Sequence, residues 1–509
     1  MKRRKKTISS GISGCTGKRI STGSFRRSAV RDPAEIFRRS VDRKPEGAFR
    51  RAAIRILLAA LFATAPAVWP APWTEAAGGP AALQSVTPAG TAFDPTALKV
   101  QASESAISFM PNGGSGVMDK ITLSGSPAQV QLPANTFTRY GYIFRGWSEN
   151  PNAKTWEFED GATVKKPKAM TLYALWEPQM YLINFNDNGA DHGVMKDTYA
   201  IYDKEKRLAT SPLIRSGYKF AGWSYGTYTI ADEGLIYNLS SGNTVSNAML
   251  TVDAGKPKNK KRSFRSTQGS VVYEKNGKKY LVTAAILNDG AYNKGNLSHY
   301  ENVLTQYDLS TGKAVRRVRN LPFDHGNSIC YDKDNGHFYI AEGGSVKGYP
   351  SGVMELDGNL KEVREYNFPL LTHIWAIAYS NHHFYVIGRN DSSRNSFCVL
   401  NENMKTLSIS EADEYYQNFS SQGIAADDNF IYAVSAGFST YEWKSRQRIN
   451  VFDLTGHYIG VWTLDIPYEA EDITVLDGKA YITTNEREKS TLYETVLPSV
   501  TLKAKWKKK

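Results

Sequence analysis

Cysteine is almost missing from this chain, with three residues in 509. Cys15 lies in the N-terminal segment, and Cys330 and Cys398 stand in two separate strand-like runs. Two cysteines make no disulfide framework even in an oxidising compartment, so both read as free, buried thiols. No cysteine or histidine spacing suits a metal, and no cofactor motif is present. Apolar runs long enough to cross a membrane, about 20 residues, are also lacking. No helical period appears in the body of the chain. Gly-x-Ser-x-Gly and His-Glu-x-x-His are absent, and no carboxylate pair can be placed from sequence, so nothing marks a hydrolase.

What is present begins with charge. The formal net charge is +13, which ordinarily suggests an anionic partner such as nucleic acid. Residues 1–77, however, hold 17 of the basic and 5 of the acidic residues, leaving 46 basic and 45 acidic in the remainder. The body is therefore nearly neutral, and a nucleic-acid partner is excluded. The basic leader precedes a short apolar run, Ile56 to Val68, broken near its end by Pro66 and followed by Pro70 and Pro72. A basic region, a brief apolar core and a small-residue exit form an export signal. The mature N-terminus is expected between about residues 66 and 80; the alternative is an uncleaved N-terminal anchor. The membrane enters this reading only through the leader. Residues 78–103, rich in Ala, Gly, Pro, Thr and Ser, read as a linker.

Two copies of one unit follow. Ile107-Ser-Phe109 with Pro111-Asn-Gly-Gly114 and Gly116-Val-Met118 matches Ile183-Asn-Phe185 with Asp187-Asn-Gly189 and Gly193-Val-Met195. Arg139-Tyr-Gly-Tyr-Ile-Phe-Arg-Gly-Trp-Ser148 matches Arg215-Ser-Gly-Tyr-Lys-Phe-Ala-Gly-Trp-Ser224, again at an offset of 76. Short alternating runs broken by Asn-Gly and Gly-rich turns predict small antiparallel strands. Trp147 and Trp223 read as core aromatics rather than as stacking platforms for a ligand. The order Phe-x-x-Asn-Gly-Gly, Gly-Tyr-x-Phe-x-Gly-Trp and Met170-Thr-Leu-Tyr-Ala-Leu-Trp176 resembles the Listeria–Bacteroides repeat, the B repeat of internalin-type surface proteins. That resemblance implies a β-grasp-like fold on the exterior of a bacterial cell, used as spacer or adhesion module.

The second copy lacks its closing strand. Ser241-Gly-Asn-Thr-Val245 aligns with Asp160-Gly-Ala-Thr-Val164 at an offset of 81, and Val500-Thr-Leu-Lys-Ala-Lys-Trp506 aligns with Met170–Trp176 at an offset of 330. A domain is thus expected inside the last loop of the second repeat, which requires a guest with neighbouring termini. The expected organisation is leader 1–77, linker 78–103, first repeat 104–178, second repeat 179–247, guest 248–498 and closing strand 499–509. Trp506 is expected to be buried.

The guest carries five segments that pair a short apolar strand with an aromatic one. They open at Gln268, His325, His373, Gln422 and Glu471, 48 to 57 residues apart. Four strands in about 40–50 residues describe a β-propeller blade. The fold class is therefore mainly β: two β-grasp-like repeats, the second interrupted by a five-bladed propeller, a sixth blade having to be degenerate. The blades generally resemble bacterial propellers, including those of helveticin-like bacteriocins.

Residues opening the innermost strands of a propeller gather at one mouth. Here they are polar: Gln268, His325, Asn327, His373, Gln422 and Glu471, with Trp375 beside them. Such a ring could hold a glycan, a peptide or a cation, or could cap the funnel by bonding loop backbones. Asp332-Lys-Asp-Asn-Gly336 imitates the start of a calcium loop but sits between strands and reads as a hairpin turn. Lys256 to Arg265 is a basic run at the junction, a solvated linker or a contact for anionic wall polymer. The resulting expectation is a secreted or cell-surface binding protein, not an enzyme, without cofactor or metal. Its partner would be an extracellular glycan, wall polymer or protein. The alternative is a secreted enzyme or bacteriocin-like toxin acting at the propeller mouth.

Overall fold

The computed structural model describes residues 105–257, 263–288, 300–323, 325–343, 351–413, 419–437, 447–486 and 489–509. The leader, the linker, Cys15 and the centre of the basic junction run lie outside the described residues. All described secondary structure is β, and among the described residues no helix is long and apolar enough to cross a membrane.

The first repeat is built on a parallel pair, Ala106–Met110 beside Met170–Pro178, with Tyr142–Ser148 antiparallel on the far side. Trp147 is wholly buried at its centre, its ring met edge-on by Phe109, Phe137 and Phe144 at 4.9–6.0 Å. The preceding Gly146 is obligatory. Its φ is +149°, and a Cβ there would lie 2.7 Å from the Phe158 carbonyl oxygen. The second repeat repeats this core around Trp223.

Its closing strand is Ser499–Lys508, parallel to Met180–Asn186 and antiparallel to Tyr218–Tyr225. Leu502 opposes Phe185 as Leu172 opposes Phe109. Two expectations are corrected. The counterpart of Asp160 is Asp232, not Ser241. Asp160 accepts from the Asn135 amide and Asp232 from the Ser211 amide, and Leu132 and Leu208 bond the carbonyls of Ala162 and Gly234. The Ser-Gly-Asn-Thr-Val match is a chance one, and Val245 instead starts a propeller strand. Trp506, like Trp176, is half-buried. Each donates its indole N–H to a turn carbonyl of its own repeat, Trp506 to Asp187 and Trp176 to Pro111.

Between the parts of the second repeat, the described residues form five four-stranded antiparallel sheets. Their innermost strands are Ser263–Lys275, Ser328–Asp332, His373–Ser380, Phe419–Ala426 and Glu469–Leu476. Each packs on the next and the last packs on the first, closing a propeller. The outermost strand of the fifth sheet, Val245–Val252, comes from before the first blade and pairs with Ser490–Val496. The ring is thus clasped by both ends of the guest. Between blades lie apolar layers such as Val271, Ala284, Phe338 and Met354. Host and guest share a core: Met180 and Leu182 are buried with Trp462, Ile482 and Leu497, and the Trp462 indole donates to the Met180 carbonyl at 2.8 Å. Cys330 and Cys398 are free and buried in one cluster. Asp332 to Gly336 is a hairpin turn closed by the Gly336 amide on the Asp332 carbonyl at 2.8 Å.

Candidate functional site

The ring has two ends, and the residues singled out in sequence stand at the starting end of the innermost strands. Four of these strands break register there, between Thr267 and Ser270, Ile374 and Ala376, Ser421 and Ile424, and Ala470 and Asp472. The residues inside the breaks include Gln268, Trp375, Gln422 and Glu471. A β-bulge leaves its extra residue unpaired and re-aims the side chain, so one backbone device presents a candidate residue in four blades. In the second blade His325 and Asn327 precede the strand, both half-buried, and the Asn327 side chain packs on Gly343.

Two subsets of these residues meet. Gln268 Nε2 donates to Glu471 Oε1 at 3.3 Å, and Gln422 Nε2 donates to Glu469 Oε1 at 2.8 Å. Glu469 and Glu471 hydrogen-bond each other. Burial pushes the Glu469 carboxyl up to about 7. Glu471 is driven well above the carboxylate range by burial and by the Glu469 charge. Two carboxyls in contact cannot both ionise, so the pair holds a proton at neutral pH, flanked by amides from two other blades. The second subset is a stack: His373 lies on Trp375 with centroids 5.4 Å apart, and the Arg389 guanidinium sits 5.3 Å from the Trp375 ring.

Below the pair, Asp472 occupies the axis of the ring. Its Oδ2 accepts from the amides of Ser270 at 2.8 Å and Ile329 at 3.0 Å, and its Oδ1 accepts from Ser328 Oγ at 3.1 Å. A Cβ on Gly423 would lie 1.9 Å from Oδ1, so the fourth blade approaches the carboxylate through a glycine. One side chain thereby ties together the first, second and fifth blades, with the fourth against it. Sequence reasoning missed both Asp472 and Glu469. The spacing of Glu469 and Glu471, two apart in a strand and so on one face, was the available signal. Asp472 gave none, because only the bulge turns it inward.

Other clefts exist. One of 620 Å³ opens at the opposite end of the ring, lined by Tyr273, Tyr331, Tyr379, Asp427, Asp428 and Asp477 among others. Another of 730 Å³ lies where the two repeats meet the fourth blade, near Tyr140, Tyr202 and Asp465. Among the described residues no group of three or more His, Cys, Asp or Glu side chains could hold a metal ion.

Solved structures similar to this chain include the tail fiber of Staphylococcus aureus phage P68. It is 13% identical, with a TM-score of 0.33, over 50% of this chain and 53% of that one. A GH43 β-xylosidase/α-arabinofuranosidase from a compost metagenome is 9% identical, with a TM-score of 0.34, over 50% and 99% of the two chains. At these scores neither likeness bears on function. Two proteins of Evansella cellulosilytica, called membrane proteins by name, are 32% and 31% identical over 25% and 23% of this chain. The chain spans only 18% and 13% of their lengths. Residues 106–175 and 181–254 match the Listeria-Bacteroides repeat domain, so the two copies, though not the propeller between their parts, are similar to a described family.

Proposed function

We propose that this is an exported binding protein, secreted or held at the cell surface, in which the two repeats present the propeller and the propeller mouth takes a glycan or a peptide. The observation that carries this reading is the recurrence of a bulge at one end of four innermost strands, each delivering a polar or aromatic side chain. Strands gain nothing in stability from an unpaired residue, and bulges concentrate where side chains must be aimed. The Glu469–Glu471 pair with its two amides offers donors and acceptors to hydroxyl or amide groups, and Trp375 with His373 offers a flat face. Export is supported by the basic leader and its short apolar run, and by the match of the repeats to a family whose resemblance implies a cell exterior.

Glycoside hydrolysis needs carboxyls about 5 Å or more apart, whereas Glu469 and Glu471 bond each other. The pair therefore suits holding a ligand better than cleaving one. A glycan array and a hydrolase panel on the full chain test the reading. Retention of one ligand class is expected, abolished by His325→Ala with His373→Ala at an unchanged melting temperature. Turnover without stable binding would instead support the enzymatic alternative. A large loss of stability in the double variant would mean that these side chains only cap the funnel.

A further inference from the structure

The two repeats differ at one matched turn. In the first, Arg139-Tyr140-Gly141-Tyr142 is covered by the second repeat. The Tyr202 ring lies flat on Gly141, where a Cβ would sit 2.5 Å from three ring carbons. Tyr140 and Tyr142 flank that ring edge-on, each 5.7 Å away between centroids. The Tyr142 hydroxyl donates to Asp203, and the Arg139 guanidinium stacks 3.7 Å from the Tyr142 ring. Only glycine admits a ring at that distance, and Gly141 also has φ +73°.

The second repeat builds the same turn from Arg215-Ser216-Gly217-Tyr218. Gly217 has φ +76°. The Tyr218 amide bonds the Arg215 carbonyl at 3.1 Å, as Tyr142 bonds Arg139. Lys509 bonds the Gly217 carbonyl at 3.0 Å, as Gln179 bonds Gly141 at 2.8 Å. Arg215 stacks on Tyr218 at 4.4 Å. Among the described residues, nothing lies within 4 Å of a Cβ built on Gly217. Two differences remain: Ser216 stands where Tyr140 supplies a flanking ring, and its amide donates to the Asp191 carboxylate, where the first repeat has Ser115.

We infer that the Gly217–Tyr218 turn is an open docking site for another repeat of the same family, one that brings an aromatic residue followed by a carboxylate, as Tyr202-Asp203 does. The first repeat shows the filled state: ring on the glycine, carboxylate on the tyrosine hydroxyl, guanidinium beside both. The partner contributes a Tyr-Asp turn, and the contact extends the stacking of repeats beyond the second one. A lone contact of this size is weak, and it gains from tethering, where effective concentrations reach the millimolar range.

The test uses a surface-immobilised peptide with the sequence of residues 198–208 and the full chain in solution. Saturable binding is expected. Tyr218→Phe, which keeps the ring and removes the donor to the carboxylate, should weaken it about threefold to tenfold. Ser216→Tyr restores the missing ring and should tighten it by a similar factor. A peptide with alanine at position 202 should not bind. Absence of binding at millimolar peptide to both the natural chain and Ser216→Tyr overturns the inference. So does binding that neither variant changes.

Discussion

Asp472 is the side chain whose removal should cost the propeller most. Its replacement by alanine strands the amides of Ser270 and Ile329 at the ring axis. A buried donor left unsatisfied costs about 1–3 kcal/mol, so Asp472→Ala should lower stability by roughly 3 kcal/mol or more in urea unfolding. An unchanged midpoint would show that the ring closes without it. The acidic pair above gives a pH signature. Both carboxyls are raised in the folded chain relative to the ordinary range. The folded state then binds more protons than the unfolded chain, and the stabilisation is full below about pH 4.5, is lost from Glu469 as pH rises through about 7, and is lost from Glu471 at higher pH. Glu469→Gln imitates the protonated form. It should match the natural chain at pH 4.5, exceed it at pH 8, and flatten the slope between. Parallel pH profiles for the two would refute the shared proton.

At the scale of elements, the strand Ser499–Lys508 is the middle of a five-stranded sheet, with Val500, Leu502 and Ala504 buried. Deleting residues 499–509 should unfold the second repeat, read by loss of Trp223 burial in fluorescence, while the first repeat persists. Retention of the Trp223 signal would contradict the pairing. The interruption was legible because the repeat spells its closing strand twice, Met-Thr-Leu-Tyr-Ala-Leu-Trp and Val-Thr-Leu-Lys-Ala-Lys-Trp. The innermost strands were legible because each pairs polar opening residues with an apolar run. Two things were not. The match at Ser241 to Val245 misled because three identities in five residues, Gly, Thr and Val, recur by chance, and only the hydrogen bonds of Asp232 decide the alignment. The inward turn of Asp472 depends on a register break one residue wide, which leaves no trace in hydrophobic alternation.

In the whole molecule the first repeat is joined to the propeller through buried charge. Arg145 Nε pairs with Glu177 Oε2 at 3.0 Å, and the Tyr458 hydroxyl of the fourth blade donates to Glu177 Oε1 at 3.1 Å. Burial lowers the pKa of both Arg145 and Arg448. Removing one partner of a buried pair leaves the other charge uncompensated, at about 3–5 kcal/mol. Glu177→Ala should therefore split unfolding into two transitions, with limited proteolysis releasing the first repeat early. A single unshifted transition would show that the junction contributes nothing. The placement of the guest has a further consequence, in mechanics. The guest departs after Leu235–Ile236, outside the five-stranded sheet, and on its return Ser499 pairs directly with Leu182 in parallel register. Tension between residue 105 and residue 509 pulls these strands at opposite ends and loads their ladder in shear. The force passes through the sheet of the second repeat, and the propeller hangs outside the loaded path, keeping its mouth in shape until that sheet gives way.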